Sequence, residues 1–182
     1  MKKILGRYKT VKIIGFCGWS GSGKTDLICR IIKYLSSQEL FISTIKHTHH
    51  NIEIDKKGKD SYSHRKSGAR EVLVGGDSNW SLIHTGYPNE KVSLNDLTKK
   101  FSIDTDLILV EGFKNESIDK IEVYYSKLGR GLISKKDKNV IAIVYDKIDQ
   151  NIIESKLPKF NFKDTVKISN FILDNIYKNG KE

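Results

Sequence analysis

The sequence predicts an α/β fold in which a mostly parallel central sheet is flanked by helices in three layers. Three observations carry that expectation. The apolar run from Val11 to Cys17 reads as a strand, and Asp26 to Leu35 follows with the spacing of an amphipathic helix. Phe41 to Lys46 reads as a second strand, so the three segments form a βαβ unit, whose crossover implies parallel strands. Asp106-Leu107-Ile108-Leu109-Val110-Glu111-Gly112 is almost continuously aliphatic, as strands covered on both faces are, and is the natural neighbour of the first strand. Between the first strand and the first helix stands Gly18-Trp19-Ser20-Gly21-Ser22-Gly23-Lys24-Thr25, a complete G-x-x-x-x-G-K-[ST] loop, which narrows the class to the P-loop NTPase fold.

The remaining elements follow in order. Residues 1–10 form a basic extension, and residues 11–182 are expected to make one nucleotide-binding domain, which suits a chain of 182 residues. A long polar stretch from His47 to Ser61 leaves the carboxyl end of the second strand, where parallel-sheet proteins place their ligands. Ser61 to Ala69 suits a short helix stopped near Gly68, Glu71 to Val74 a strand, and Asn79 to Thr85 another. Ser93 is a candidate N-cap for a helix from Leu94 to Phe101. Lys120 to Tyr125 and Val140 to Tyr145 are two more strands. A closing helix from Asp164 or Thr165 to Lys178 carries Val166, Ile168, Phe171, Ile172, Ile176 and Tyr177 mostly on one face.

The chemistry gathers on the loop. Gly18, Gly21 and Gly23 let backbone N–H groups approach phosphates that a Cβ would keep away, and Ser22 lies among them. Lys24 is placed to neutralise β- and γ-phosphates, Thr25 offers a hydroxyl to Mg²⁺, and the helix presents its positive end to the anion. Lys46 and His47 are candidate phosphate-proximal donors. His47, His49 and His50 also raise a zinc or nickel site, but adjacent residues on an extended chain point to opposite sides. Glu111 ends its strand where it can reach the Mg²⁺ shell, and Asp60 is a second candidate for metal-bound water, so these two are the candidate catalytic and metal-holding carboxylates. Asp55-Lys56-Lys57-Gly58 has the D-x-x-G form of GTP-binding switches. Asp146-Lys147-Ile148-Asp149 resembles the guanine-reading N-K-x-D motif with Asp in first place, so Asp146 or Asp149 could accept from guanine N1–H and N2–H₂.

Thirty-two Lys and Arg against 22 Asp and Glu give a formal net charge of +10, which favours acidic or phosphorylated partners. The lysines are scattered and no aromatic residues alternate with them, which argues against a nucleic-acid groove. Cys17 and Cys29 form no disulfide framework or zinc pattern. The short apolar run behind Met1-Lys2-Lys3 is interrupted by Gly6 to Thr10, and no membrane span follows, so a cytoplasmic protein is expected.

Beyond the loop, four groups stand in order along the chain: Lys46-His47-Thr48-His49-His50; Asp55-x-x-Gly58-Lys59-Asp60-Ser61; Ser67-Gly68-Ala69; and Asp106-x-x-x-Val110-Glu111-Gly112-Phe113-Lys114 ahead of Lys120-Ile121-Glu122. Over about residues 11 to 175 the chain resembles the molybdopterin-guanine dinucleotide biosynthesis protein B family, MobB. The resemblance implies a GTP-binding, slowly hydrolysing adaptor that works with Mg²⁺ and with the nucleotidyltransferase MobA, which attaches GMP to molybdopterin. It further implies a cytoplasmic homodimer that meets molybdopterin or its guanine dinucleotide. The family's nucleotide-site residues fall on Gly21, Ser22, Gly23, Lys24 and Thr25, with Asp60 and Glu111 near metal and phosphate. The tract Ser126 to Ser134 departs from the family by lacking an arginine directly behind the preceding strand. Two other classes share the loop. A small-molecule kinase would need an acceptor base and an arginine-bearing lid, whereas Arg65, Arg70 and Arg130 are dispersed along the chain, and a metallochaperone GTPase would use the histidines.

Overall fold

A computed structural model of the chain describes residues 11–48 and 54–178. The chain divides into two compact units, one running to His47 and resuming at Thr98, the other spanning Thr48–Leu97.

The first unit is built on strands β1 (Lys12–Cys17) and β2 (Ile42–Lys46), joined by helix α1 (Lys24–Ser37). It continues after the second unit, whose elements are α2 (Asp60–Lys66), β3 (Glu71–Gly75), β4 (Trp80–His84) and α3 (Leu94–Thr98), the last of which crosses the boundary. There follow β5 (Leu107–Glu111), β6 (Lys120–Tyr124), β7 (Val140–Tyr145), α4 (Gln150–Glu154), β8 (Lys159–Asn161) and α5 (Thr165–Lys178). Six strands form one sheet in the order β2-β5-β1-β6-β7-β8, and every neighbouring pair is parallel. The expected parallel α/β sheet is thus present. In the βαβ unit, however, β1 and β2 are not neighbours: β5 lies between them, pairing Ile14 with Leu109 on one side and Thr44 with Leu109 on the other.

Alternation along the strands sorts the core. Ile14 and Phe16, Leu107 and Leu109, Ile121 and Val123, Ala142 and Val144 meet Leu27, Ile31 and Leu35 of α1 and Ile168 and Ile172 of α5. A second cluster combines Tyr124 and Ile143 with Leu132 and with Ile152 of α4. Apolar residues therefore occupy successive positions of β5 and β7, the pattern of strands covered on both faces. Val166 was expected on the apolar face of α5 but is exposed, because the buried stripe runs through Ile168 and Ile172 instead.

In the second unit, β3 and β4 pair antiparallel as a separate two-stranded sheet, with Leu73, Val74, Trp80 and Leu82 exposed. Asp55 anchors the start of this unit through a bidentate pair with Arg65, at 2.6 and 3.3 Å, and the guanidinium holds the carboxyl below its ordinary range. Ser93 does cap the following helix, its Oγ accepting from the Asp96 amide at 3.1 Å, but α3 stops at Thr98, short of Phe101. No helix among the described residues is long and apolar enough to cross a membrane.

Candidate functional site

The loop between β1 and α1 owes its shape to its glycines. Gly18, Gly21 and Gly23 all have positive φ, at 151°, 78° and 87°. A Cβ on Gly18 would stand 2.5 Å from the Val123 carbonyl oxygen and 2.7 Å from Ser22 Oγ, and one on Gly23 would stand 2.9 Å from the Phe162 ring. Gly18→Ala should therefore cost about 1 to 3 kcal/mol of strain and deform the loop, a change read as a lower unfolding midpoint together with weaker nucleotide binding. A stable variant with unaltered binding would remove the close-approach argument.

The loop fits a bound polyphosphate. Ser22 is 4% exposed, and its side chain is turned inward beneath the loop, where its Oγ stands against Gly18. Lys24 Nζ donates to the carbonyls of Gly18 at 3.1 Å and Trp19 at 2.9 Å, so it lies across the loop. Burial lowers its pKa, the Glu111 carboxylate opposes that, and Lys114 adds to it.

At the carboxyl end of β5, Glu111 faces the start of α1. Thr25 Oγ1 donates to both Glu111 oxygens at 3.2 Å, and Lys46 Nζ sits 3.0 Å from Glu111 and 3.5 Å from the Thr25 hydroxyl. A hydroxyl, a carboxylate and the phosphates of a nucleotide are the hard oxygen donors that Mg²⁺ takes, so Thr25 and Glu111 fit that ion, and the Lys46 ammonium supplies positive charge at the same place. His47 joins them through its amide, which donates to the Glu111 carbonyl at 2.8 Å, and its ring packs on Phe113 at 4.3 Å. Gly112, at φ 102°, allows this contact, since a Cβ there would lie 2.9 Å from His47. Of the other sequence candidates, Asp60 opens α2 in the second unit and is exposed, while His49 and His50 lie outside the described residues.

Asp146 and Asp149, the candidate base readers, follow β7, and both have partners within the protein. Asp146 accepts from the amide and hydroxyl of Ser126 at 2.7 and 2.9 Å. Burial would raise its pKa, but those bonds more than offset it and leave the carboxyl below its ordinary range. Asp149 is the N-cap of α4, accepting from the Ile152 amide at 3.1 Å, while its other oxygen accepts from the Tyr124 hydroxyl. Each carboxylate therefore offers a guanine only its second lone pairs.

Sequence reasoning missed several participants. Phe162 lies against Gly23, fixed by Arg30, which stacks over its ring at 4.6 Å and donates to its carbonyl at 2.8 Å. Trp19 docks on the segment after β6 by donating to the Gly131 carbonyl at 3.0 Å. Buried Glu122 accepts from the amides of Ile133 and Ser134 at 2.6 and 2.9 Å, and buried Lys120 donates to Asp137 and to the Lys114 carbonyl, each at 2.8 Å. Lys120 and Glu122 entered the sequence reading as part of the family pattern, and their role as buried anchors was signalled there only by charges inside an apolar strand.

A glycine-rich loop between the first strand and first helix of a parallel sheet, with a hydroxyl and an acid facing one another beyond it, defines a P-loop NTPase fold. Within that class, the family model of MobB, molybdopterin guanine dinucleotide synthesis protein B, matches residues 13–146, and the chain belongs to this family. It is similar to the molybdopterin-guanine dinucleotide biosynthesis adapter protein of Haemophilus influenzae, 35% identical across 86% of this chain and 89% of the relative. The adapter protein of Escherichia coli is 38% identical across 75% and 79%. The crystal structure of Bacillus subtilis MobB superposes with a TM-score of 0.71 at 29% identity, over 90% of this chain and 96% of that one.

Proposed function

We propose that this protein is a GTP-binding adaptor of molybdopterin guanine dinucleotide biosynthesis. It holds Mg²⁺-GTP on the P-loop, hydrolyses it slowly, and assists a MobA-like nucleotidyltransferase that joins GMP to molybdopterin. The observation that carries the nucleotide reading is the loop itself: Gly18, Gly21 and Gly23 at positive φ behind β1, with Lys24 Nζ lying across them on the Gly18 and Trp19 carbonyls. Family membership carries the pathway, since the curated relatives are named as adapter proteins of that biosynthesis.

Each residue has a task that follows from its place. The loop amides and Lys24 would bind and orient the phosphates, while Thr25 and Glu111 would hold Mg²⁺, which would neutralise phosphate charge there. Glu111 is engaged by Thr25 and Lys46, so it serves as a metal-holding carboxylate and not as a free base, in keeping with slow turnover. A cytoplasmic homodimer completes this reading, supported by the β3–β4 hairpin: a two-stranded sheet is marginal alone, and its exposed Leu73, Val74, Trp80 and Leu82 suit a second copy.

Guanine should be preferred over adenine by about ten- to hundredfold, since Asp146 and Asp149 can still accept through their second lone pairs from groups that adenine lacks. Titrating GTP and ATP in parallel with Mg²⁺ tests this, and equal dissociation constants would refute the guanine assignment. Retention of full preference in an Asp146→Ala, Asp149→Ala protein would move base reading elsewhere. Phosphorylation of a small metabolite at about 1 to 100 s⁻¹ would replace the adaptor by a kinase.

A further inference from the structure

We propose that Arg130 binds the terminal phosphate of the nucleotide held by the P-loop. This rests on the reading of that loop as a triphosphate site and adds to it a cationic group supplied by the segment between β6 and β7.

The segment is a strap fixed at both feet. Asp146 holds its first residue, Ser126, through amide and hydroxyl. Glu122, fully buried in β6, holds the amides of Ile133 and Ser134, and buried Lys120 holds Asp137. Between these anchors the chain turns through Gly129, at φ 59°, and its crest meets the phosphate loop. There Gly131 accepts from the Trp19 indole at 3.0 Å, and the Arg130 guanidinium lies over the Trp19 ring, 5.4 Å from its centroid. An arginine that looked isolated in the sequence is thereby carried to the rim of the loop.

The position selects one end of the nucleotide. Trp19 is the second residue of the loop, and its carbonyl accepts from Lys24 Nζ at 2.9 Å, so Lys24 and Arg130 flank the same residue. The lysine of such a loop reaches the β- and γ-phosphates, and in this proposal Arg130, held on the ring of the residue whose carbonyl that lysine bonds, reaches the same end of the nucleotide with its long side chain. Arg130 is exposed, and among the described residues no carboxylate pairs with it. A planar fork of N–H donors waiting on an aromatic face is suited to a two-point grip on phosphate oxygens, which a lysine cannot reproduce.

The test compares GTP and GDP affinities, with Mg²⁺, for the wild-type protein and for Arg130→Ala, Arg130→Lys and Lys24→Ala, each checked for fold by circular dichroism. Arg130→Ala should weaken GTP about tenfold or more while leaving GDP within about twofold, with Arg130→Lys between. In a Trp80→Phe background the remaining indole, Trp19, should change its fluorescence on adding GTP and respond less in Arg130→Ala. Unchanged GTP affinity in Arg130→Ala, or equal losses for GTP and GDP, overturns the proposal while Lys24→Ala still fails to bind. If the folded wild-type protein binds neither nucleotide, the triphosphate reading fails first and the role of Arg130 falls with it.

Discussion

Replacing Lys24 with alanine is expected to remove most nucleotide affinity, by about 2 to 4 kcal/mol, or roughly thirty- to a thousandfold. In the free protein the ammonium makes its bonds to the carbonyls of Gly18 and Trp19, and its proton is already held less tightly because the group is partly removed from water. A polyphosphate supplies the charge that this environment lacks, so the interaction is worth more than an exposed ion pair. None of the core residues around α1 depends on Lys24, so the unliganded variant should melt close to the wild type. The two should separate only when Mg²⁺-GTP is added, because ligand stabilisation follows RT ln(1 + [L]/Kd). Calorimetric titration with parallel melting curves reads both effects. Wild-type GTP affinity in the folded variant would remove the site assignment.

An effect of about 3 to 5 kcal/mol on folding is expected from Lys120→Met. Lys120 is 2% exposed, and its ammonium satisfies both Asp137 and the Lys114 carbonyl, so truncating the charge leaves two acceptors without their donor. Chemical denaturation measures the loss, and a shift under about 1 kcal/mol would mean that water replaces the lysine at no great cost. Acidity should give the complementary result. Burial pushes the Asp137 carboxyl up, but its bonds from Lys120 and Asn139 outweigh this and leave it below its ordinary value. A depressed folded-state value stabilises the protein above the unfolded pKa of about 3.9, and that stability disappears as pH falls through the folded value. Asp137→Asn should therefore be less stable at neutral pH and should lose less on acidification than the wild type.

Much of this was legible in the sequence because the informative patterns are local. Val11 to Thr25 contains strand, loop and helix start within one continuous stretch, and its glycine spacing has few alternatives once phosphate must approach backbone. Glu111 could be read because an acid ending an aliphatic run is conspicuous. The place of β5 beside β1 could be read from its continuous aliphatic run, but that it also separates β1 from β2 could not, since either strand is apolar enough to be its second neighbour. The short α4 and β8 have too few residues for periodicity to emerge. Asp149 shows how one pattern can carry two meanings: an acid three residues before Ile152 is a helix cap as well as part of an N-K-x-D resemblance. The juxtaposition of Trp19 with Arg130 and Gly131 spans 112 residues for its hydrogen bond, beyond any local rule.

The place of β5 also bears on how the protein is born. Thr25 and Glu111 are separated by 86 residues, so during synthesis, which proceeds at about 5 to 20 residues per second, the phosphate loop emerges several seconds before its acidic counterpart. Until β5 takes its place between β1 and β2, Thr25 has no acid opposite it. Closing so long a loop is entropically unfavourable, although the cost grows only with the logarithm of its length, and such non-local pairing tends to be slow. Any ligand that needs Thr25 and Glu111 together would consequently bind only chains in which β5 is in place, and so would favour the completed sheet over its unfinished forms.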